Sequence, residues 1–101
     1  MSTETRINVD NIIEVKRPSM YSVIMHNDDY TPMDFVTYIL MNIFEKNEKE
    51  ATGLMLFIHK NDKCVVGEYI YDIAMTKKIQ ADAISEQNNY PLKITVEEAI
   101  T

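Results

Sequence analysis

The sequence predicts an α+β domain: three helices packed on one side of a three-stranded antiparallel sheet. Three observations carry the expectation. Short alternating apolar runs read as strands at Met20–Met25, Cys64–Tyr69 and Leu92–Val96. Apolar residues at helical spacing fill the segments between them. The resulting order, β-α-α-β-α-β, supplies too few helices to wrap both faces of a sheet, which favours an antiparallel sheet covered on one side.

Taken in order, the first strand places Tyr21, Val23 and Met25 on one face and Met20, Ser22 and Ile24 on the other. The polar run Asn27-Asp28-Asp29 follows, and Thr31 reads as the cap of a first helix, with Pro32 at the first helical position and Asp34 as its capping-box acid. Met33, Val36, Leu40 and Ile43, widened by Phe35, Ile39 and Phe44, form its apolar stripe up to about Lys46. Asn47 and Glu50 form a second capping box, opening a helix through Ala51, Leu54, Met55 and Ile58. Asn61-Asp62-Lys63 is a turn before the second strand. A third helix over about Tyr71–Gln87 carries a weaker stripe of Ile73, Ala74, Ala81 and Ile84, and Asn88, Asn89 and Pro91 stop it. Leu92, Ile94 and Val96 then alternate with Lys93, Thr95 and Glu97.

A chain of 101 residues fits one domain. Residues 1–17 lack a sustained period and read as a flexible N-terminal extension, in which Val9, Ile12, Ile13 and Val15 are able to order on a partner; residues 18–101 form the core domain. Ten basic against sixteen acidic residues, a formal charge of -6, argue against a nucleic-acid surface, which needs basic groups to neutralise phosphates. Such a balance is compatible with a cationic ligand. One cysteine, Cys64, makes no internal disulfide and points to a reducing compartment. With no long apolar run for a membrane span and no basic-then-apolar start, the expected location is cytoplasmic.

Enzyme chemistry finds little footing. Gly53 and Gly67 make no phosphate loop, Ser19, Ser22 and Ser85 sit in no nucleophile elbow, and nothing in the sequence makes Asp28 and Asp29 converge as an acid–base pair. A metal site built from Asn27, Asp28, Asp29 and His59 lacks calcium-loop or paired-histidine spacing. A third reading is recognition of an amine: an ammonium brings donors and one positive charge, and Asn27, Asp28 and Asp29 are rich in acceptors. Met33, Val36, Met55 and Leu92 are apolar residues able to line an adjoining pocket. The bland alternative is a small acidic interaction domain whose polar turn only starts a helix.

The string Asn27-Asp28-Asp29-Tyr30-Thr31-Pro32-Met33, with Phe35-Val36 behind it, resembles the adaptor proteins of the bacterial Clp protease, the ClpS family. Leu54-Met55-Leu56 running to His59, then Gly67, Thr76-Lys77 and Pro91-Leu92, extend the resemblance over roughly residues 18–98. It implies a non-enzymatic adaptor, without cofactor or metal, that binds N-degron proteins by a first residue Leu, Phe, Tyr or Trp and passes them to a hexameric Clp AAA+ chaperone of the ClpA or ClpC type. By position, Asn27, Asp28 and His59 would hold the α-amino group, with Asp29 in support. Met33, Val36, Met55 and Leu92, with Ile58 beside them, would form the pocket for the first side chain. Asp72, Lys77 and Tyr69 would lie on the face that docks on the ATPase, and the N-terminal segment would assist delivery. Two positions depart from the family pattern: Asp72 stands where a Glu is expected, and His26 stands where a non-ionising residue is expected.

Overall fold

Period-two alternation and the polar turns between runs give the chain its strands, and a computed structural model describes them over residues 18–100. The N-terminal extension expected over residues 1–17, and Thr101, lie outside the described residues. The elements are β1 (Met20–His26), α1 (Met33–Asn42), α2 (Glu48–Asn61), β2 (Lys63–Ile70), α3 (Tyr71–Gln87) and β3 (Lys93–Glu98). The sheet order is β2-β1-β3, and both neighbours run antiparallel to β1. The unit β2-α3-β3 therefore straddles β1, with α3 packed against all three strands. The helices cover one side of the sheet, as the sequence predicts.

Val23 and Met25, both 0% exposed, project from the central strand into a core shared with Val36, Ile39 and Leu40 of α1, Ala51 and Ile58 of α2, and Ala74 and Ala81 of α3. A β-bulge between Val23 and Ile24 lets β2 insert Val66, which is buried in that core. Gly67 follows, and a Cβ there would run into the Tyr69 ring, so glycine lets that ring lie across the strand where it is.

Local chemistry differs from the expectation in three places. Helix α1 begins one residue later than expected: Pro32 is extended at ψ 147°, outside the helix, and its carbonyl accepts from the Phe35 and Val36 amides. Thr31 caps nothing; its hydroxyl donates to Asp28, and no side chain caps the helix. The helix also ends at Asn42 rather than near Lys46, because Glu45 takes a left-handed φ of 58° and turns the chain. Along α3, Ile73 is exposed while Ser85 is 1% exposed, which is possible because its hydroxyl donates to the Ala81 carbonyl. The second capping box is present as expected: Asn47 accepts from the Glu50 amide, and the Glu50 carboxylate accepts from the Asn47 amide.

Candidate functional site

The polar turn after β1 is folded by Asp28. One of its carboxylate oxygens accepts from the Tyr30 amide at 2.8 Å and the Thr31 amide at 2.7 Å; the other accepts from the Thr31 hydroxyl at 2.7 Å. This Asx-type turn reverses the chain between strand and helix. Burial acts to raise the Asp28 pKa, but the hydrogen bonds from Thr31 and Tyr30 outweigh it and hold the carboxyl below its ordinary value. Asp28 is therefore an anion fixed in place, and with three of about four lone pairs engaged it retains one acceptor position.

Asn27 is placed by a different bond. Its amide donates to the Asp62 carbonyl at 2.7 Å, tying the end of β1 to the turn that closes α2. Asp62 reaches that position through a left-handed φ of 77°. His59 lies in the last turn of α2, three residues before this tie, so Asn27 and His59 reach the same place from opposite directions. Sequence alone left their proximity open.

Together they line one cavity of about 360 Å³. Asn27, Asp28, Asp29 and His59 supply polar groups; Met33 and Val36 of α1 and Met55 and Ile58 of α2 supply apolar walls; Tyr30, Thr31 and Pro32 complete the loop side. Val36 and Ile58 are also core residues, so this part of the wall is rigid, whereas Met33 is 43% exposed at the mouth. Such a cavity offers acceptors for a cation at one end and a shape-adaptable apolar recess at the other. Among the described residues, no group of three or more His, Cys, Asp and Glu side chains is arranged to hold a metal ion.

Leu92 is not brought to this cavity. It is 7% exposed in the core and lines a separate hollow of about 330 Å³ with Lys78, Asp82, Ser85 and Glu86 of α3. Its place follows from the chain entering β3 beside the end of α3. His26 also faces elsewhere: its Nε2 is 2.8 Å from the Thr95 hydroxyl across the sheet. Tyr30, Thr31 and Pro32 were not singled out as lining residues, although their adjacency to the Asn-Asp-Asp run is a signal that could have found them.

The proposed docking residues lie at the other end of β1. Asp72 is exposed in the first turn of α3, and Tyr69 is half-buried at the end of β2. Lys77 is not free: its Nζ donates to the Ile43 carbonyl at 2.8 Å and lies 5.4 Å from the centre of the Tyr69 ring. Burial, with Glu45 nearby, pushes the Tyr69 hydroxyl above its ordinary pKa.

A family model described as "ATP-dependent Clp protease adaptor protein ClpS" matches residues 16–95. The ATP-dependent Clp protease adapter protein ClpS of Shewanella pealeana is 51% identical over 86 residues, spanning 85% of this chain and 84% of that protein. Its counterpart from Syntrophus aciditrophicus is 45% identical over 95 residues, spanning 94% and 89%. Among solved structures, Agrobacterium tumefaciens ClpS2 bound to L-phenylalaninamide superposes with a TM-score of 0.79 at 36% identity, covering 82% of this chain and all of that one. A family match over most of the chain and identities this high leave one assignment: the chain belongs to the ClpS family of ATP-dependent Clp protease adaptors.

Proposed function

We infer that this protein is a non-enzymatic adaptor that binds N-degron substrates and delivers them to a Clp protease. The observation that carries its recognition chemistry is the single cavity in which acceptor-rich Asn27, Asp28, Asp29 and His59 adjoin the apolar wall of Met33, Val36, Met55 and Ile58. A free N-terminal residue has a matching shape, with an ammonium and a side chain on one carbon. The ammonium donates to the Asn27 side-chain oxygen, to the remaining acceptor position of Asp28 and to a His59 ring nitrogen, while Asp29 adds negative charge at the rim. The first side chain, Leu, Phe, Tyr or Trp, fills the apolar recess. A likeness in solved structures supports this reading, since the Agrobacterium protein was solved with an amide of phenylalanine, a free amine on a bulky aromatic residue.

Selectivity follows from what the cavity leaves unpaired. An N-acetylated residue has lost its charge and two donors, so bringing it in would strand acceptors from which water had been expelled. A Ser-first peptide keeps the amine but fills little of the recess. Delivery needs a second face, which we place around Asp72 with Tyr69 and Lys77, for a hexameric Clp AAA+ chaperone of the ClpA or ClpC type in the cytoplasm.

The test is fluorescence anisotropy with a labelled peptide beginning in Leu, its N-acetylated twin and a Ser-first control. Tight binding of the free Leu peptide alone is the expected result. Equal binding of all three, or of none, removes the cavity as the recognition site. Affinity also falls as the pH rises past the free amine's pKa of about 7.7–8.0, since the ligand then surrenders the proton that the acceptors recognise.

A further inference from the structure

A second hollow, of about 580 Å³, runs along the outer face of α1. It shares Met33 and Met55 with the first cavity, so these two side chains form a common wall between the two spaces. From that wall the hollow continues past Thr37 and Tyr38 to Met41 and Asn42. Met33, Thr37 and Met41 are spaced four apart and share one helix face.

The groove is apolar in a specific way. Thr37 spends its hydroxyl on the Met33 carbonyl, and Asn42 spends its amide on the Tyr38 carbonyl, so both polar residues satisfy donors on their own helix. Asp34 is the one charged residue on the lining. Met33, Tyr38 and Met41 are 43%, 49% and 38% exposed, a concentration of solvent-facing apolar groups on a ten-residue helix. Tyr38 is held in position: its ring stacks on Phe35 at 6.2 Å, and Phe35 meets Tyr90 edge-on at 4.7 Å.

We propose that this groove is a second subsite for the same peptide, taking a bulky apolar side chain from the two or three residues that follow the bound first one. The inference rests on the amine-and-recess reading of the first cavity, with which the groove is continuous. From Met33 to Met41 the helix rises about 12 Å, and an extended peptide covers that in three to four residues. In an extended chain, alternate side chains share a face and stand about 7 Å apart, so with the first side chain in the recess the third residue is the one that meets Tyr38, with Met41 lining the groove just beyond it. The adaptor then reads a short pattern, a bulky apolar residue at the free terminus and another shortly after it, rather than the terminus alone.

The experiment compares free Leu-first peptides that are otherwise Ser-rich with versions carrying one added Phe at the second, third or fourth position. Each is measured on the wild type, Tyr38→Ser and Met41→Ser, both exposed positions whose folding is checked by circular dichroism. The added Phe at one of these positions tightens wild-type binding by about five- to tenfold, roughly the gain from partly burying one side chain. Tyr38→Ser and Met41→Ser remove that gain while leaving the Ser-rich parent peptide's affinity unchanged. No gain at any position, or a gain that survives in both variants, overturns the subsite. Failure of the underlying reading has its own signature: the Ser-rich Leu peptide would then bind no better than its N-acetylated twin, and the groove would fall with it.

Discussion

Asp28 performs two tasks at once, and their sizes can be separated. Three hydrogen bonds from Tyr30 and Thr31 make it the fold of its own turn, and the same bonds keep it ionised beside the cavity. Asp28→Ala is expected to weaken Leu-peptide binding by about 2–5 kcal/mol, the range for truncating one partner of a hydrogen-bonded charge pair. Fold stability should drop by only about 1 kcal/mol, comparable to losing a helix-entry cap. Anisotropy and thermal melting measure the two; collapse of the fold would make the turn's role structural alone. Met33 poses a gentler problem, since it stands half-exposed at the mouth and shapes the entrance. Met33→Ala should improve acceptance of Ile- and Val-first peptides relative to Leu, and an unchanged ranking would remove Met33 as a gate. His26 tests the electrostatics outside the site. Burial, then the positive charges of Lys93 and Lys63, lower its pKa against the opposing pull of Glu97. The unfolded chain therefore binds this proton more readily than the folded one, so the stability contribution is complete above the ordinary pKa of about 6.5 and is lost as pH falls through the lower folded value. Chemical denaturation at about pH 7.5 and about pH 5.5 should show the wild type losing more stability than His26→Gln on acidification.

At the scale of elements, the helices and strands were legible wherever a local signal coincided with the packing. The Asn47–Glu50 capping box is such a case, because both halves of the signal lie within four residues and need no tertiary partner. The start of α1 was not legible: Thr31-Pro32 carries the same cap signal, but Asp28, three residues earlier, competes successfully for the Thr31 hydroxyl and amide. Ser85 was missed because a hydroxyl satisfied four residues back on its own helix looks polar in sequence and behaves as small and apolar in the core. Lys77 shows the limit of reading a face from one helix. Its partner, the Ile43 carbonyl just past the end of α1, lies 34 residues away, and only the packed structure brings them together. A charged donor closing a helix end is expected to contribute about 1–2 kcal/mol here, given partial solvent exposure. Lys77→Ala should therefore lower the melting temperature by several degrees, about 4–8 °C per kcal/mol for a domain of this size. An unchanged melting temperature would mean that the bond is negligible and that Lys77 is available to a partner.

Across the whole molecule, the central strand separates the acceptor-lined cavity from the face proposed for docking. At its end, His26 pairs with Lys63 and leads directly into Asn27 and the cavity; at its start, Met20 pairs with Ile70, two residues before Asp72. Seven strand residues put roughly 20 Å between the two ends. Between them lies the buried core of Val23, Met25, Ile39 and Leu40, whose packing keeps both ends attached to one rigid body. Sites that far apart with no shared side chain respond additively to mutation. Asp72→Lys should therefore leave the affinity for a Leu-first peptide unchanged, while abolishing Clp-dependent degradation of a reporter protein beginning with Leu. Asp28→Ala should abolish degradation by the opposite route, losing the peptide while still binding the isolated ATPase. The two defects are distinguished by measuring both bindings on both variants. Peptide affinity that falls in Asp72→Lys would mean the strand couples its ends, and degradation that persists in Asp72→Lys would move the docking face away from the start of α3.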